Sequence, residues 1–349
     1  MTITADQRRA RILDVVRELG TVRVVDLAEH IGLAAVTVRR DVAALADSGL
    51  LHRTHGAVSL PVSDAEPGLP QGLTVGMLVP AVGSYFDEII DGARAAVTAA
   101  GARLVLGIAP YESGDDQAQV EQLLAAEVDG LLVSPNWHPD RPAERSAWLR
   151  ELELPVVLVE RRAPAESACA ELDAVGSDHH HGVLLALRHL AALGHDSVLL
   201  AARHDTWTAF QVRTGYAEGT GLLGLEPQPV IDIRSPGGDP GVLAEQIAAG
   251  VARGIRAVLI HNDQEAIRLT PLLRSRGLRI PQDVALVSYD DVFAALAAPP
   301  LTAVAPPKRA VGTAAVELLL RRIGGSALPV QHVQLLPELK VRTSCGGAA

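Results

Sequence analysis

Thr37-Val38-Arg39-Arg40-Asp41 sets two adjacent guanidinium groups beside a hydroxyl, a combination able to hydrogen-bond base edges and phosphate oxygens in a DNA groove. Val38, Val42 and Leu45 recur at helical spacing and form one apolar stripe. Val36 and Arg40 fall on the opposite side, with Thr37 and Arg39 flanking them and the small Ala35 beside them, an apolar surface suited to a thymine methyl. One side of such a helix packs and the other is free to touch. Arg53 and His55 follow in short alternating runs, 51–53 and 57–60, around Thr54-His55-Gly56, the pattern of a two-stranded wing. The plainer reading of Arg39 and Arg40 is a solvated helix face balanced by Asp41 and Asp47.

A second set of polar and aromatic residues stands where predicted strands end. Tyr85 and Phe86 follow the apolar run 74–80, Trp137 follows 130–134, and Glu160 follows 156–159. Further on, Trp207 and Arg213 follow 198–202, Asn262 follows 257–261, and Asp290 follows 284–289. Aromatics make up only 3% of the chain, so four at such positions single these turns out. Aromatic faces with carboxylate, amide and guanidinium groups suit a polyhydroxylated ring or a nucleobase.

Three other patterns invite chemistry. Gly219-Thr220-Gly221-Leu222-Leu223-Gly224 matches G-x-G-x-x-G but closes a helical stretch instead of following a strand, which disfavours dinucleotide binding. His179-His180-His181 cannot chelate one metal from consecutive helix positions; Asp178 is expected to cap that helix with the histidines at the surface. Asp290-Asp291 could be an acid pair, yet no nucleophile, base or phosphate loop accompanies it, so no enzyme, no metal and no cofactor is expected.

The elements that position these residues fall into two regions. Residues 8–19 are amphipathic through Ile12, Val16 and Leu19 and end at Gly20; 24–31 form a second short helix before a turn at Gly32; the arginine helix follows and stops at Gly49. Helix, helix, turn, helix and wing make a winged helix-turn-helix, whose third helix enters the major groove. The stretch 61–72 is rich in proline, glycine and acids without periodicity and reads as a linker. From 73 onward apolar strands alternate with amphipathic helices in two series, which implies two parallel sheets flanked by helices and a cleft at their carboxyl ends.

The 349 residues suffice for two or three domains, and 48% hydrophobic content with few aromatics means cores of Ala, Val and Leu. Residues 1–60 hold eight arginines and no lysine against seven carboxylates, so of the net −10 the remainder carries −11. A head so weakly basic neutralises few phosphates, and useful affinity for double-stranded operator DNA then calls for two half-sites and a homodimer. Cys169 and Cys345 are the only cysteines, which argues against a disulfide framework. Neither an apolar signal core nor an apolar run of membrane-spanning length is visible, so a cytoplasmic protein without a membrane partner is expected.

R-R-A-R-I-L-D-V-V-R-E-L-G-T-V-R-V-V-D-L-A-E-H-I-G, followed by T-V-R-R-D-V-A-A-L and G-L-L-H-R-T-H-G-A, resembles the DeoR-type DNA-binding domain over about residues 6–60. Ala34 stands where that family usually has a serine, which removes a helix N-cap worth ~1 kcal/mol, and Gly56-Ala57 replaces a paired glycine in the wing. V-G-S-D-H-H-H-G-V-L-L-A-L-R-H-L-A-A-L-G-H-D-S-V, R-T-G-Y, H-N-D-Q-E-A, G-L-R-I-P-Q-D-V-A-L-V-S-Y-D-D and P-P-L-T-A-V occur in order and resemble the effector domain of LacI/GalR-type regulators, a periplasmic-binding-protein type I fold.

Together the resemblances imply a DNA-binding domain over 1–60, a linker over 61–72 and a two-lobed effector domain over 73–345. Its first lobe is expected at about 73–173 and 303–323, and its second at about 174–302 and 324–345, with crossings near Ala174, Thr302 and Ile323 acting as a hinge. They also imply effector contacts at Tyr85, Phe86, Glu160, Arg213, Asn262 and Asp290, with Trp207 in a loop that lines the pocket in relatives. Glu160 replaces a frequent aspartate, and nothing in 61–72 could form the family's hinge helix, so the coupling device must differ. The expected function is a transcription regulator, by default a repressor, controlled by a sugar or sugar derivative. A purine or nucleoside effector is the alternative, and a cytoplasmic sugar-binding or sugar-processing protein is the reading from another class.

Overall fold

A computed structural model describes residues 5–19, 22–47, 51–54, 57–59, 72–83, 85–111, 116–137, 144–234 and 238–347. It divides into two compact units, Met1–Gly68 and Leu69–Ala349.

In the first unit, helices α1 (Ala5–Leu19), α2 (Val24–Ile31) and α3 (Ala35–Asp47) precede strands β2 (His52–Thr54) and β3 (Ala57–Ser59). The wing gains a third strand: β1 (Val22–Arg23) pairs antiparallel with β3, giving the order β1-β3-β2. Two residues are too short a run for sequence periodicity to reveal. Ile12, Val16, Leu27, Val38, Val42, Leu45 and Val58 form the core. Gly32, at φ +72°, makes the turn between α2 and α3. The Ala34 carbonyl accepts from the Thr37 and Val38 amides, so the backbone closes the first turn of α3 without a capping side chain. Glycines 20 and 49 lie outside the described residues.

The second unit holds two six-stranded sheets. The first has the order β14-β8-β7-β6-β4-β5, all parallel, from β4 (Thr74–Val79), β5 (Arg103–Ile108), β6 (Gly130–Val133), β7 (Val156–Val159), β8 (Asp173–Ser177) and β14 (His332–Leu335). The second has the order β10-β9-β11-β12-β13-β15, from β9 (Leu199–Ala202), β10 (Ile231–Asp232), β11 (Ala257–His261), β12 (Ala285–Tyr289), β13 (Thr302–Ala305) and β15 (Glu338–Lys340), and only the β13–β15 pair is antiparallel. Their central strands are apolar on both faces because helices cover both. Val75, Met77, Leu132 and Val175 pack under α4 (Tyr85–Ala99) and α10 (Lys308–Ile323); Leu78, Leu131, Leu158 and Ala174 form the opposite face. The helices α6 (His179–Ala192), α7 (Trp207–Leu223), α8 (Pro240–Ala252) and α9 (Asp263–Ser275) clothe the second sheet, while α5 (Asp116–Ala125) packs on the first.

The lobe boundaries differ from the expected ones. β8 keeps residues 173–177 in the first sheet, β13 keeps 302–305 in the second, and β14 brings 332–335 back to the first. The chain therefore crosses after Ser177 and after Ala305, within three residues of the expected Ala174 and Thr302, and after Leu335, twelve residues beyond the expected Ile323. Strand pairing sets these points: Val175 faces both Val159 and Val333, and its side chain is buried in the first core. Among the described residues no helix is long and apolar enough to cross a membrane.

Candidate functional site

On α3, Val36 is 76% exposed, Arg39 and Arg40 are exposed, and Ala35 and Thr37 are half-buried. Asp41 does not balance the arginines next to it. It is buried and accepts from Arg8 Nε at 2.9 Å, with Arg9 Nε 3.5 Å from its other oxygen, so its charge fastens α3 to α1. Among the described residues Arg39 and Arg40 form no ion pair, which leaves an uncompensated cationic face. Arg53 stands on β2, and His55 lies outside the described residues.

In the second unit the strand-end residues separate into two groups. On the first lobe, Glu160 follows β7, is 4% exposed and has φ +54°. Its Oε1 accepts from Tyr85 OH at 3.1 Å and Ser177 Oγ at 2.8 Å; its Oε2 accepts from the Ser177 amide at 3.2 Å and lies 3.3 Å from His179 Nε2. Burial alone would raise its pKa, but the hydrogen bonds from His179 and Ser177 outweigh that and hold it below the usual carboxylate range. Burial pushes the Tyr85 phenol well up, so its hydroxyl remains a donor. Glu160 is thus an ionised anchor with its acceptor positions occupied. Phe86 points the other way into the core beneath α4, as adjacent helix residues must, and backs Tyr85 edge-on at 5.5 Å.

Trp137 and Trp207 are also buried. They meet edge to face at 5.6 Å, one after β6 of the first lobe and one opening α7 of the second, with Phe210 5.3 Å from Trp207 and the Trp137 indole N–H donated to Ser146 Oγ. Three of the four aromatics expected to present a face to a ligand are therefore engaged with protein.

On the second lobe, Asp290 follows β12 with φ +88° and is 3% exposed, and its Oδ1 is buried without a partner. Burial and the neighbouring Asp263 carboxylate push its pKa up to about 7, against the opposing pull of Lys308, His179 and a hydrogen bond from Asn262. Asn262 precedes α9 and makes no side-chain capping bond. Arg213 donates through Nη1 to Asp232 at 2.8 Å and to the carbonyls of Ala202 and Arg203, which holds it at the end of β9. A larger groove of about 680 Å³ between β10 and α8 shares Asp232 but lies along the sheet edge.

Several residues in this region were not singled out from sequence. Asp263 accepts the Phe293 and Ala294 amides on Oδ2, and its Oδ1 is buried and unpartnered, as is His261 Nδ1. Burial lowers the His261 pKa to about 3, so that ring is neutral. Lys308, at the second crossing, is buried and donates to the Asp290 carbonyl while lying 3.2 Å from Glu88 Oε1 and 5.7 Å from the Tyr85 ring centroid, so it touches both lobes. It is one of only two lysines in the chain, a rarity that could have marked it. The histidine run also splits. Asp178 caps α6 through the His181 amide as expected, and His180 bonds Glu218, but His179 is not at the surface: it sits 5% exposed between Glu160 and Tyr289, because the first turn of α6 points it inward. Asp291 is held by Arg342 in a two-pronged ion pair, and Gly219–Gly224 closes α7 with Gly224 in the left-handed cap.

Comparison with known proteins bears on the family and the fold. A DeoR-like helix-turn-helix domain model matches residues 8–63, and a periplasmic binding protein-like domain model matches 187–345. The chain is 30% identical to the HTH-type transcriptional repressor PurR of Vibrio campbellii over 281 residues, covering 78% of this chain and 80% of that protein. It is 28% identical to the HTH-type transcriptional regulator MalR of Streptomyces coelicolor over 345 residues, covering 94% and 98%. The solved complex of the transcriptional regulator CelR with cellobiose superposes with a TM-score of 0.67 at 23% identity, covering 89% of this chain and 91% of that one. The chain belongs to the LacI/GalR-type transcription regulators and carries a DeoR-type helix-turn-helix domain at its N-terminus.

Proposed function

We propose that this regulator is an operator-binding repressor, active as a homodimer, whose grip on DNA is set by a neutral polyhydroxylated ligand in the cleft between the lobes. The observation that carries the ligand is the trio of buried, unpartnered atoms at the ends of β11 and β12: His261 Nδ1, Asp263 Oδ1 and Asp290 Oδ1. Each costs the folded chain free energy while unbonded, and sugar hydroxyls, which both donate and accept, can satisfy them. Asn262 and Arg213 add a donor–acceptor amide and a fixed guanidinium at neighbouring strand ends. A flat nucleobase is the less suited occupant, because Phe86, Trp137 and Trp207 have their faces against protein and only Tyr85 remains beside the polar cluster.

The ligand would act by favouring one lobe arrangement. Differential affinity is the only source of such switching, and a hundredfold preference supplies ~2.7 kcal/mol. In a symmetric dimer, lobe rotation changes the spacing of two recognition helices that must sit about one DNA turn apart. Thermal shift and calorimetry against a panel of sugars and nucleosides test the pocket. A sugar response that Asp290→Ala and Arg213→Ala both abolish supports it, and an unchanged response in both variants refutes it.

A further inference from the structure

Behind Glu160 lies a cavity of about 340 Å³, bounded by the loop after β7, the face of β8 and β14, and the first turns of α7. Arg161 forms part of its wall. This side chain is 2% exposed, and its two bonded nitrogens reach only neutral oxygens, Nε to the Pro135 carbonyl and Nη1 to the Glu160 carbonyl, both at 2.8 Å. Its Nη2 is buried with no partner, and among the described residues no carboxylate lies within ion-pair distance of it. A buried guanidinium is ordinarily matched by an anion, and none of the described residues supplies one here. Arg162 and His332 add further basic groups to the same wall.

The opposite wall comes from Trp207, Phe210 and Gln211, so the N-terminal end of a 17-residue helix borders the space and contributes the positive end of its dipole. Glu160, the one carboxylate in the lining, has its oxygens engaged by Tyr85, Ser177 and His179. From the unmatched Arg161, the helix end and the basic rim, we infer that this cavity is a subsite for an anionic group, carboxylate or phosphate. It shares the Glu160 wall with the proposed sugar cleft and to that extent rests on that reading.

Inorganic phosphate is the first probe, read as a shift in melting temperature of the full chain against chloride at equal ionic strength. Phosphate is expected to raise the melting temperature of the wild type by a few degrees. Arg161→Met should abolish the rise. Gln211→Glu should abolish it too, and this variant keeps the fold because an acid near the start of α7 suits the helix dipole. No excess effect of phosphate over chloride on the wild type, or a rise that persists in both variants, overturns the subsite. A sugar phosphate that binds at least tenfold tighter than either phosphate or the parent sugar assigns the group to the effector. Binding no tighter than phosphate alone, still lost in Gln211→Glu, assigns it to a separate ion. A neutral-sugar response that survives Gln211→Glu but not Asp290→Asn leaves the cleft standing if the anion arm fails.

Discussion

Asp290 joins folding to proton uptake. Its carboxyl titrates near 7 in the folded chain and near 4 unfolded, so between those values the folded state holds the extra proton. Stability from this group is therefore fully present below about pH 4 and is lost as pH rises to about 7; three units correspond to about 4 kcal/mol. Urea melts at several pH values should show the wild type losing stability relative to Asp290→Asn across that window, and parallel curves would contradict the assignment. On α3, Arg40→Ala should weaken operator binding by about 1–3 kcal/mol and relax its sequence preference, measured by titration of operator and scrambled duplexes; equal loss on both would make Arg40 a phosphate contact. Asp290 and Asn262 could be placed from sequence because each directly follows an apolar strand, and Arg213 because it follows β9 in the R-T-G-Y run. His179, Tyr289 and Lys308 could not, since their roles come from burial against residues more than a hundred positions away or on the other lobe. Adjacent Tyr85 and Phe86 were likewise indistinguishable until the packing of α4 turned one to the cluster and one to the core.

At the scale of elements, α4 and α10 approach so closely that a Cβ on Gly312 would fall 2.0 Å from the Ile89 carbonyl oxygen, and one on Gly92 2.0 Å from that of Arg309. Gly312→Ala should therefore cost about 1–3 kcal/mol by forcing the helices apart. Gly221→Ala on α7 meets nothing within 4 Å and should instead stabilise by about 0.5–1 kcal/mol through helix propensity. Denaturant midpoints of the pair check both signs, and a destabilised Gly221→Ala or a neutral Gly312→Ala would go against this packing. Alternating strands and helices made the doubly covered sheets legible from the hydrophobic pattern along the chain. The short strands β1, β14 and β15 were not, because two to four residues are too few for a period to stand out, and the pairing of β14 with β8 is what moved the third crossing.

For the molecule as a whole, three crossings connect the lobes, and the buried Lys308 amine, the Glu160–His179 pair and the Trp137–Trp207 contact bridge them. Lys308→Met removes a hydrogen-bonded charge that reaches both, leaving the Asp290 carbonyl without that donor, and should weaken ligand-dependent release of operator DNA by about tenfold, on the order of 1.4 kcal/mol. Release curves identical to wild type would remove Lys308 from the coupling. The indole pair has its own consequence. Trp137 and Trp207 belong to different lobes yet touch, in a chain with only three tryptophans. Any separation of the lobes must expose them to water and redden their emission, so the protein carries a built-in optical gauge of its own opening, readable in solution without a label.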